Sequence, residues 1–128
     1  MKKKILKLLS ACAVATMMCS TAVMAASAYN ISISVENVAY SGTVAKTSQN
    51  AYASVIINSL NYPSATLKYK VNQGNTAVTS YYSRQGVNTI PDMKYLTAIS
   101  TGENLKLGVY NPASNGGVGV TVYGTWTP

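Results

Sequence analysis

Apolar and polar residues alternate along most of the chain after residue 28. Strict alternation places one side of an extended chain against a core and leaves the other side polar, which is typical of half-buried β-strands. Val, Ile, Thr and Tyr, which favour strands, dominate these stretches, and none shows the spacing of an amphipathic helix. The clearest alternating stretches are residues 31–35, 67–71, 105–109 and 118–122. The pattern predicts an all-β domain.

Three connections predict how these strands pair as antiparallel hairpins. Gln73-Gly74 and Gly102-Glu103 suit two-residue turns, and residues 111–116 form a longer loop. Each register places apolar residues on one face, and a slip of one residue would expose that face. The predicted pairs include Val71 with Thr76, Leu105 with Ser100, Val109 with Leu96, and Val109 with Val118.

Three other segments are less regular. Residues 53–60 contain the apolar run Val55-Ile56-Ile57, which indicates a strand covered on both faces. Residues 42–50 are expected to form a loop or a short edge strand, and residues 83–92 to link two sheets. About seven or eight short strands separated by regular turns favour an antiparallel β-sandwich, with a small barrel as the alternative.

The first 28 residues have the three parts of an export signal. Four Lys within the first seven residues precede an apolar stretch at residues 8–24 and the small residues Ala26-Ser27-Ala28, where a signal peptidase cuts. Cleavage after Ala28 leaves residues 29–128, and cleavage after Ala25 is the alternative. Either position leaves a single domain. The sequence therefore predicts a secreted, extracellular protein.

An alternative for the same segment is a lipoprotein signal, because Leu9-Ser10-Ala11-Cys12 resembles a cleavage box that would leave Cys12 lipidated. Only residues 5–11 would then serve as the apolar region, which is short and broken by Lys7, so ordinary cleavage is preferred. The stretch 8–24 is also short and interrupted for a membrane span of about 20 residues. No stable membrane insertion of the mature domain is expected.

Removal of the signal excludes several chemistries. Both Cys lie within it and the chain has no His, so thiolate, Ser-His and zinc chemistry are not expected. Six basic and three acidic residues remain, a net charge of +3 that is too weak for a dedicated nucleic-acid binder. No enzyme activity, cofactor or metal is predicted. Two exceptions stay open: a glycosidase pair among the carboxylates of Glu36, Asp92 and Glu103, and a carbonyl-rich calcium site at residues 111–117.

Tyrosine is unusually frequent, with ten in the chain, no Phe, and a single Trp. A Tyr side chain has an apolar ring and a polar tip, which suits both a half-exposed strand and a binding face. Under the predicted register, the candidate binding residues Tyr95, Tyr110, Tyr123 and Lys106 share one outer face. The alternative is that this face is covered by the other sheet or by the chain ends. Trp126 is expected to fix the last strand to the core.

The export signal, the segment Leu105-Lys-Leu-Gly-Val-Tyr-Asn111, the Gly/Asn/Ser loop after it, and the closing Tyr123-Gly-Thr-Trp-Thr-Pro128 together resemble small secreted β-sandwich proteins of Gram-positive bacteria. In size and export route the chain also resembles, more remotely, the lactococcin-972 type of bacteriocin. That resemblance implies an attack on cell-envelope synthesis. The chain lacks the His residues and the Gly- and Trp-rich start of that type, so no functional residue is carried over.

These observations favour a secreted, non-enzymatic protein that binds a cell-wall polymer or an extracellular protein through its Tyr-rich outer face. A bacteriocin-like antimicrobial protein and a structural component of an extracellular matrix are the alternatives. The matrix role draws on the open sheet edges of a sandwich. The sequence leaves the oligomeric state open.

Overall fold

The computed structural model describes residues 26–128, and the predicted signal up to residue 25, including Cys12, lies outside the described residues. The alternating pattern folds into two antiparallel sheets that pack face to face. The prediction of an antiparallel β-sandwich is therefore confirmed. Ten strands are present in the described part of the chain, several of them only two or three residues long.

The first sheet has four strands, in the order β1-β10-β4-β8. They are β1 (Ser27–Ile33), β10 (Val120–Thr127), β4 (Tyr52–Leu60) and β8 (Asn88–Lys94). β1 begins inside the predicted signal, and its residues Ser27 and Ala28 pair with Trp126 and Thr125. β8 is an edge strand and contains Pro91 beside a register shift, a position where the missing N–H of proline is tolerated.

The second sheet has six strands arranged around β9 and β5. They are β2 (Val38–Tyr40), β3 (Val44–Ala45), β5 (Thr66–Gln73), β6 (Thr76–Ala77), β7 (Tyr82–Gln85) and β9 (Asn104–Tyr110). β9 pairs with β2 and β3 on one side and with β5 on the other, and β5 pairs in turn with β6 and β7.

The core lies between the two sheets and is built from the inward half of each alternation. Trp126 and Tyr69 are the largest fully buried side chains, so the expected role of Trp126 is confirmed. Burial of this apolar area is the main source of stability in a domain whose described residues include no Cys. The other central members are Ile31, Ile33, Val55, Ile57, Leu67, Val71, Ile90, Leu105, Leu107, Val109 and Val122.

Two of the three predicted hairpins are wrong. β9 and β10 belong to different sheets, so Val109 does not pair with Val118, and β9 pairs with β2, β3 and β5 instead. Residues 96–103 form no strand, so Leu105 pairs with Val44 rather than with Ser100, and Val109 does not pair with Leu96. Two apolar stripes that face each other across the core have the same sequence pattern as two stripes that lie side by side in one sheet.

The first hairpin exists but with a shifted register. Gln73 pairs with Thr76, so the two-residue loop is Gly74-Asn75, and the N–H of Val78 donates to the carbonyl of Val71 at 2.9 Å. Gly74 has a φ of 60°, as a glycine at the first position of a type II′ turn requires. The predicted pairing of Val71 with Thr76 made Gly74 the second residue of the turn. The register is wrong by two residues, because Thr76 pairs with Gln73.

The middle of the chain follows the predictions in part. β4 is not covered on both faces: Val55 and Ile57 are buried, but Ile56 between them is 45% exposed. β3 is the short edge strand that was one of two expectations for residues 42–50. The chain does pass from one sheet to the other between β7 and β8, as expected for residues 83–92, although most of that segment is strand.

The connection from β9 to β10 is held by two asparagine side chains and contains a short 3₁₀ helix (Ala113–Asn115). The fully buried Asn111 donates through Nδ2 to the carbonyls of Ile33, at 3.2 Å, and Val118, at 2.8 Å. Its Oδ1 accepts from Asn115 Nδ2 at 2.9 Å, and Asn115 also exchanges hydrogen bonds with the backbone of Thr66. Since Ile33 and Thr66 belong to different sheets, these amides join the two sheets at one end of the sandwich.

Candidate functional site

The outer face of the six-stranded sheet carries a group of Lys and Tyr side chains. Residues of β5 alternate between the core and this face, so Lys68 and Lys70 point outward. The same alternation in β9 turns Lys106 and Tyr110 outward, and the short strand β2 contributes Tyr40. Because β2, β9 and β5 are adjacent, these side chains lie beside one another.

Tyr40 is held in place by the strand next to it. It pairs with Gly108, and a Cβ atom at that glycine would lie 2.8 Å from Tyr40 Cε1, so the ring fills the space that a side chain would take. Lys106 Nζ lies 4.3 Å and Lys70 Nζ 5.9 Å from the ring centroid, within the range of cation–π attraction. Asn72 Nδ2 donates to the Tyr40 hydroxyl at 3.5 Å. The ring is thus positioned from several sides and is still 40% exposed.

Tyr81, just before β7, extends the same surface beyond β5. Its ring centroid is 6.2 Å from that of Tyr110, with the planes tilted by 53°, an arrangement that aromatic pairs favour. Lys70 Nζ lies 5.0 Å from the Tyr81 centroid, so one ammonium group lies near the rings of both Tyr40 and Tyr81. Tyr81 is 44% exposed. We call Tyr40, Tyr81, Tyr110, Lys70 and Lys106 the Tyr-Lys face.

The chain has three acidic residues, and none occupies an outward position of β2, β5 or β9. Glu36 lies in the turn before β2, and Asp92 lies on β8 in the other sheet. Glu103 precedes β9, and its carboxylate accepts hydrogen bonds from Gln73 Nε2, at 3.2 Å, and from the Ser100 N–H. The side-chain charges of the Tyr-Lys face are therefore all positive.

The structure does not bring the four predicted binding residues together. Tyr110 and Lys106 both lie on the Tyr-Lys face, but Tyr110 pairs with Val38 and Lys68 rather than with Tyr95. Tyr123 is 48% exposed on the outer face of the four-stranded sheet, on the opposite side of the sandwich. The single face expected from the hairpin register is therefore wrong.

Tyr95 is packed against the core, beside an unusual buried lysine. Its ring centroid lies 5.3 Å from Lys46 Nζ, and Lys46 is only 1% exposed. The ammonium group donates to the Ser48 carbonyl at 2.6 Å, to Ser48 Oγ at 3.2 Å and to the Asn50 carbonyl at 2.8 Å. Burial lowers the pKa of Lys46 and raises the pKa of Tyr95, because desolvation disfavours the charged form of each. The three hydrogen bonds hold residues 46–50 around the ammonium group, and the contact with Tyr95 joins that segment to a residue packed against the core.

Sequence reasoning missed Tyr40, Tyr81 and Lys70 as members of the site. Their grouping depends on the pairing of β9 with β2 and β5, which are distant from it in sequence. The one local signal was the alternation of Lys68 and Lys70 with apolar residues in β5, which predicted outward lysines correctly.

The described residues contain no cluster of three or more His, Cys, Asp or Glu side chains that would hold a metal ion. In the segment 111–117, which was the alternative candidate for a carbonyl-rich calcium site, the side-chain oxygens of the two asparagines already accept hydrogen bonds: Asn111 Oδ1 from Asn115, and Asn115 Oδ1 from the Thr66 N–H. Within residues 26–128, no helix has the length and apolar character needed to cross a membrane.

These features define an antiparallel β-sandwich with an open aromatic and basic face. No protein-family model and no curated protein matches the chain. Among solved structures it is similar to PirA, at 11% identity and a TM-score of 0.45, covering 76% of this chain and 92% of that chain.

The chain is also similar to two further solved structures. One is the CBM36-1 domain of a multidomain xylanase from the hindgut metagenome of Trinervitermes trinervoides, at 15% identity and a TM-score of 0.45, covering 78% of this chain and 82% of that chain. The other is a family two carbohydrate esterase from Cellvibrio japonicus, at 10% identity and a TM-score of 0.35, covering 80% of this chain and 34% of that chain. Such likenesses concern the fold, and one fold serves many functions.

Proposed function

We propose that this chain is a non-enzymatic binding protein whose Tyr-Lys face holds a polymer of the cell envelope or the extracellular space. The observation that carries the proposal is the gathering of three Tyr and two Lys side chains on one open sheet face. Exposed Tyr rings offer rigid apolar area with a hydroxyl at the tip, at a low cost in conformational entropy. An extracellular location for the partner follows from the predicted export signal.

Binding fits this face better than catalysis does. The face presents amines and phenols, but no thiol, imidazole or carboxylate that would act as a nucleophile or as an acid-base pair. A sheet face is also extended along its strands, so it suits a ligand that is itself long. The fixed position of Tyr40 over Gly108 means that little side-chain freedom is lost when a ligand contacts it.

The double variant Tyr40→Ala/Tyr81→Ala tests the proposal. A matched control exists on the other sheet, because Tyr52 and Tyr123 have similar exposure, 40% and 48% against 40% and 44%. Binding to insoluble cell envelope of the producing organism is measured by co-sedimentation. We expect the first pair to weaken binding by about tenfold or more, as hot-spot aromatic residues do, and the control pair Tyr52→Ala/Tyr123→Ala to leave it within about twofold.

Two results would contradict the proposal. The first is equal binding by the wild-type protein and the Tyr40→Ala/Tyr81→Ala variant, provided that both have the same unfolding midpoint in urea. The second is loss of binding in the control pair alone, which would move the site to the outer face of the four-stranded sheet.

A further inference from the structure

We infer that the polymer bound by the Tyr-Lys face is an acidic polysaccharide, that is, a chain of sugar rings bearing carboxylate groups. This inference rests on the proposed function and narrows it to one class of ligand. It combines three properties of the face: its uncompensated positive charge, its half-exposed rings, and its lack of the groups that bind phosphate tightly.

Two ammonium groups lie near the ring of Tyr40. Lys106 Nζ and Lys70 Nζ lie 4.3 Å and 5.9 Å from the same ring centroid, so the two like charges share one small region. Like charges repel, and cation–π attraction to an exposed ring offsets only part of that repulsion. With the three carboxylates placed elsewhere, an anion supplied by a ligand would neutralise this region.

The tyrosine rings favour a ligand made of sugars. Tyr40 and Tyr81 lie on either side of Lys70, whose Nζ is within 5.9 Å of one centroid and 5.0 Å of the other. An apolar ring surface next to an ammonium group matches a sugar that carries a carboxylate, because the C–H side of the sugar contacts the ring while the carboxylate meets the ammonium. A charged polymer without rings would leave the tyrosines unused.

The preference for carboxylate over phosphate rests on what the face lacks. Phosphate is commonly held by the forked donors of Arg or by free backbone N–H groups. The single Arg of the chain, Arg84, lies opposite Leu67, an inward-facing residue, so it does not belong to the outer face. β9 pairs with β2 and β5, and β5 pairs with β9 and β7, so the backbones of these two strands are engaged in sheet pairing on both sides. Lysine ammonium groups are point charges without that forked geometry, and singly charged carboxylates spaced along a chain can neutralise them one by one.

Three soluble polysaccharides that contain uronate residues in different linkages, namely polygalacturonate, alginate and hyaluronan, are called polyuronates below and serve as probes for the full-length protein. Fully methyl-esterified polygalacturonate provides the same sugar chain without charge, and polyglutamate provides carboxylates without sugar rings. We expect at least one polyuronate to bind, and esterification or replacement of the sugar to weaken affinity by about tenfold or more. Affinity for that polyuronate should fall between about 50 mM and 500 mM salt, because exposed charges are screened.

The variant Lys70→Gln/Lys106→Gln removes the two charges near Tyr40, and Lys94→Gln/Arg84→Gln removes two charges away from the outer face of the six-stranded sheet. The first pair should weaken polyuronate binding by about tenfold or more and the second by less than about twofold. The tyrosine variant Tyr40→Ala/Tyr81→Ala should weaken it as well.

Other outcomes would contradict either the acidic polysaccharide alone or the proposed function as well. If cell envelope binds in a Tyr40- and Tyr81-dependent manner but no polyuronate does, or if the esterified polymer binds as well as the acid, the acidic polysaccharide is wrong and the proposed function stands. If polyglutamate binds as well as the best polyuronate, charge alone is recognised and the sugar is wrong. If neither cell envelope nor any polyuronate binds, both proposals fail.

Discussion

Two glycines show how single residues position tyrosine rings on both sides of the sandwich. Tyr29 lies opposite Gly124 in the four-stranded sheet, and Tyr40 lies opposite Gly108 in the six-stranded sheet. In each pair the ring crosses the strand where a Cβ atom would otherwise stand. The buried Tyr29 also donates to the carbonyl of Ile56 at 3.0 Å, whereas Tyr40 remains half exposed. A cross-strand pair of Tyr and Gly is therefore used twice: it packs the core in the four-stranded sheet and positions a ring of the candidate site in the six-stranded sheet.

Gly124→Ala is expected to destabilise the protein far more than Gly108→Ala. The added Cβ at residue 124 would overlap the Ile56 carbonyl oxygen and lie 2.5 Å from the Tyr29 hydroxyl, both fixed in the interior. We expect a loss of about 3 kcal/mol in the free energy of unfolding, as for overpacking in a core. At residue 108 the nearest atoms belong to the side chains of Tyr40 and Lys70 rather than to backbone, so displacing these surface groups from their present contacts is expected to cost less, about 1 kcal/mol. Urea unfolding followed by the fluorescence of Trp126 measures both, and equal losses would contradict this account.

At the scale of elements, the connection between β9 and β10 explains why the hairpins were mispredicted. Leu105, Leu107 and Val109 form one apolar stripe, and Val120 and Val122 belong to another. Two such stripes bury equally well side by side in one sheet or face to face across a core. In the sequence, the two asparagines that join the sheets look like ordinary loop residues, because their partners Ile33 and Thr66 lie 78 and 49 residues away.

Asn111→Ala tests this connection. The substitution leaves the buried carbonyls of Ile33 and Val118 without their donor, which is expected to cost about 2–3 kcal/mol in the free energy of unfolding. Asn30, on an exposed position of β1, is the matched control, and Asn30→Ala should change stability by less than about 0.5 kcal/mol. The comparison is made by urea unfolding. If the two variants have the same midpoint, the buried amide does not hold the sheets together.

At the scale of the whole molecule, sequence was sufficient for the fold class but for only part of the site. Alternation reports which side chains share a face within one strand, and it placed Lys68, Lys70, Lys106 and Tyr110 outward correctly. It cannot report which strands are neighbours, because that depends on contacts between distant segments. Tyr123 was therefore assigned to the wrong side of the sandwich, and Tyr40 was not assigned at all.

The whole molecule should lose stability as the pH rises above about 10, the ordinary pKa of tyrosine. Burial raises the pKa values of Tyr29, Tyr69 and Tyr95 well above this range. Above pH 10 the unfolded chain therefore releases protons that the folded protein keeps, and the free energy of unfolding falls by up to about 1.4 kcal/mol per pH unit for each such phenol. The stabilisation is fully present below pH 10. The lowered pKa of Lys46 acts in the opposite direction as the pH approaches the ordinary lysine value of 10.5.

Urea unfolding between about pH 8 and pH 11 measures this slope. The variant Tyr69→Phe/Tyr95→Phe removes two of the three phenols, and neither hydroxyl has a hydrogen-bond partner among the described residues. We expect the decline in stability above pH 10 to become clearly shallower. Tyr62, which is 45% exposed, provides the control Tyr62→Phe, whose profile should match that of the wild-type protein. An unchanged slope in the double variant would show that other groups control alkaline unfolding.

The first strand links the two candidate cleavage positions of the predicted signal to the order of export and folding. The peptide bond after Ala28 lies inside β1, within a run of paired residues, whereas the bond after Ala25 precedes the first strand residue, Ser27. A peptidase reaches a bond in a paired strand only when that strand opens. Cleavage after Ala28 therefore requires β1 to be open, either before the sandwich closes or during local opening, while cleavage after Ala25 leaves the edge strand complete and places no such demand on timing.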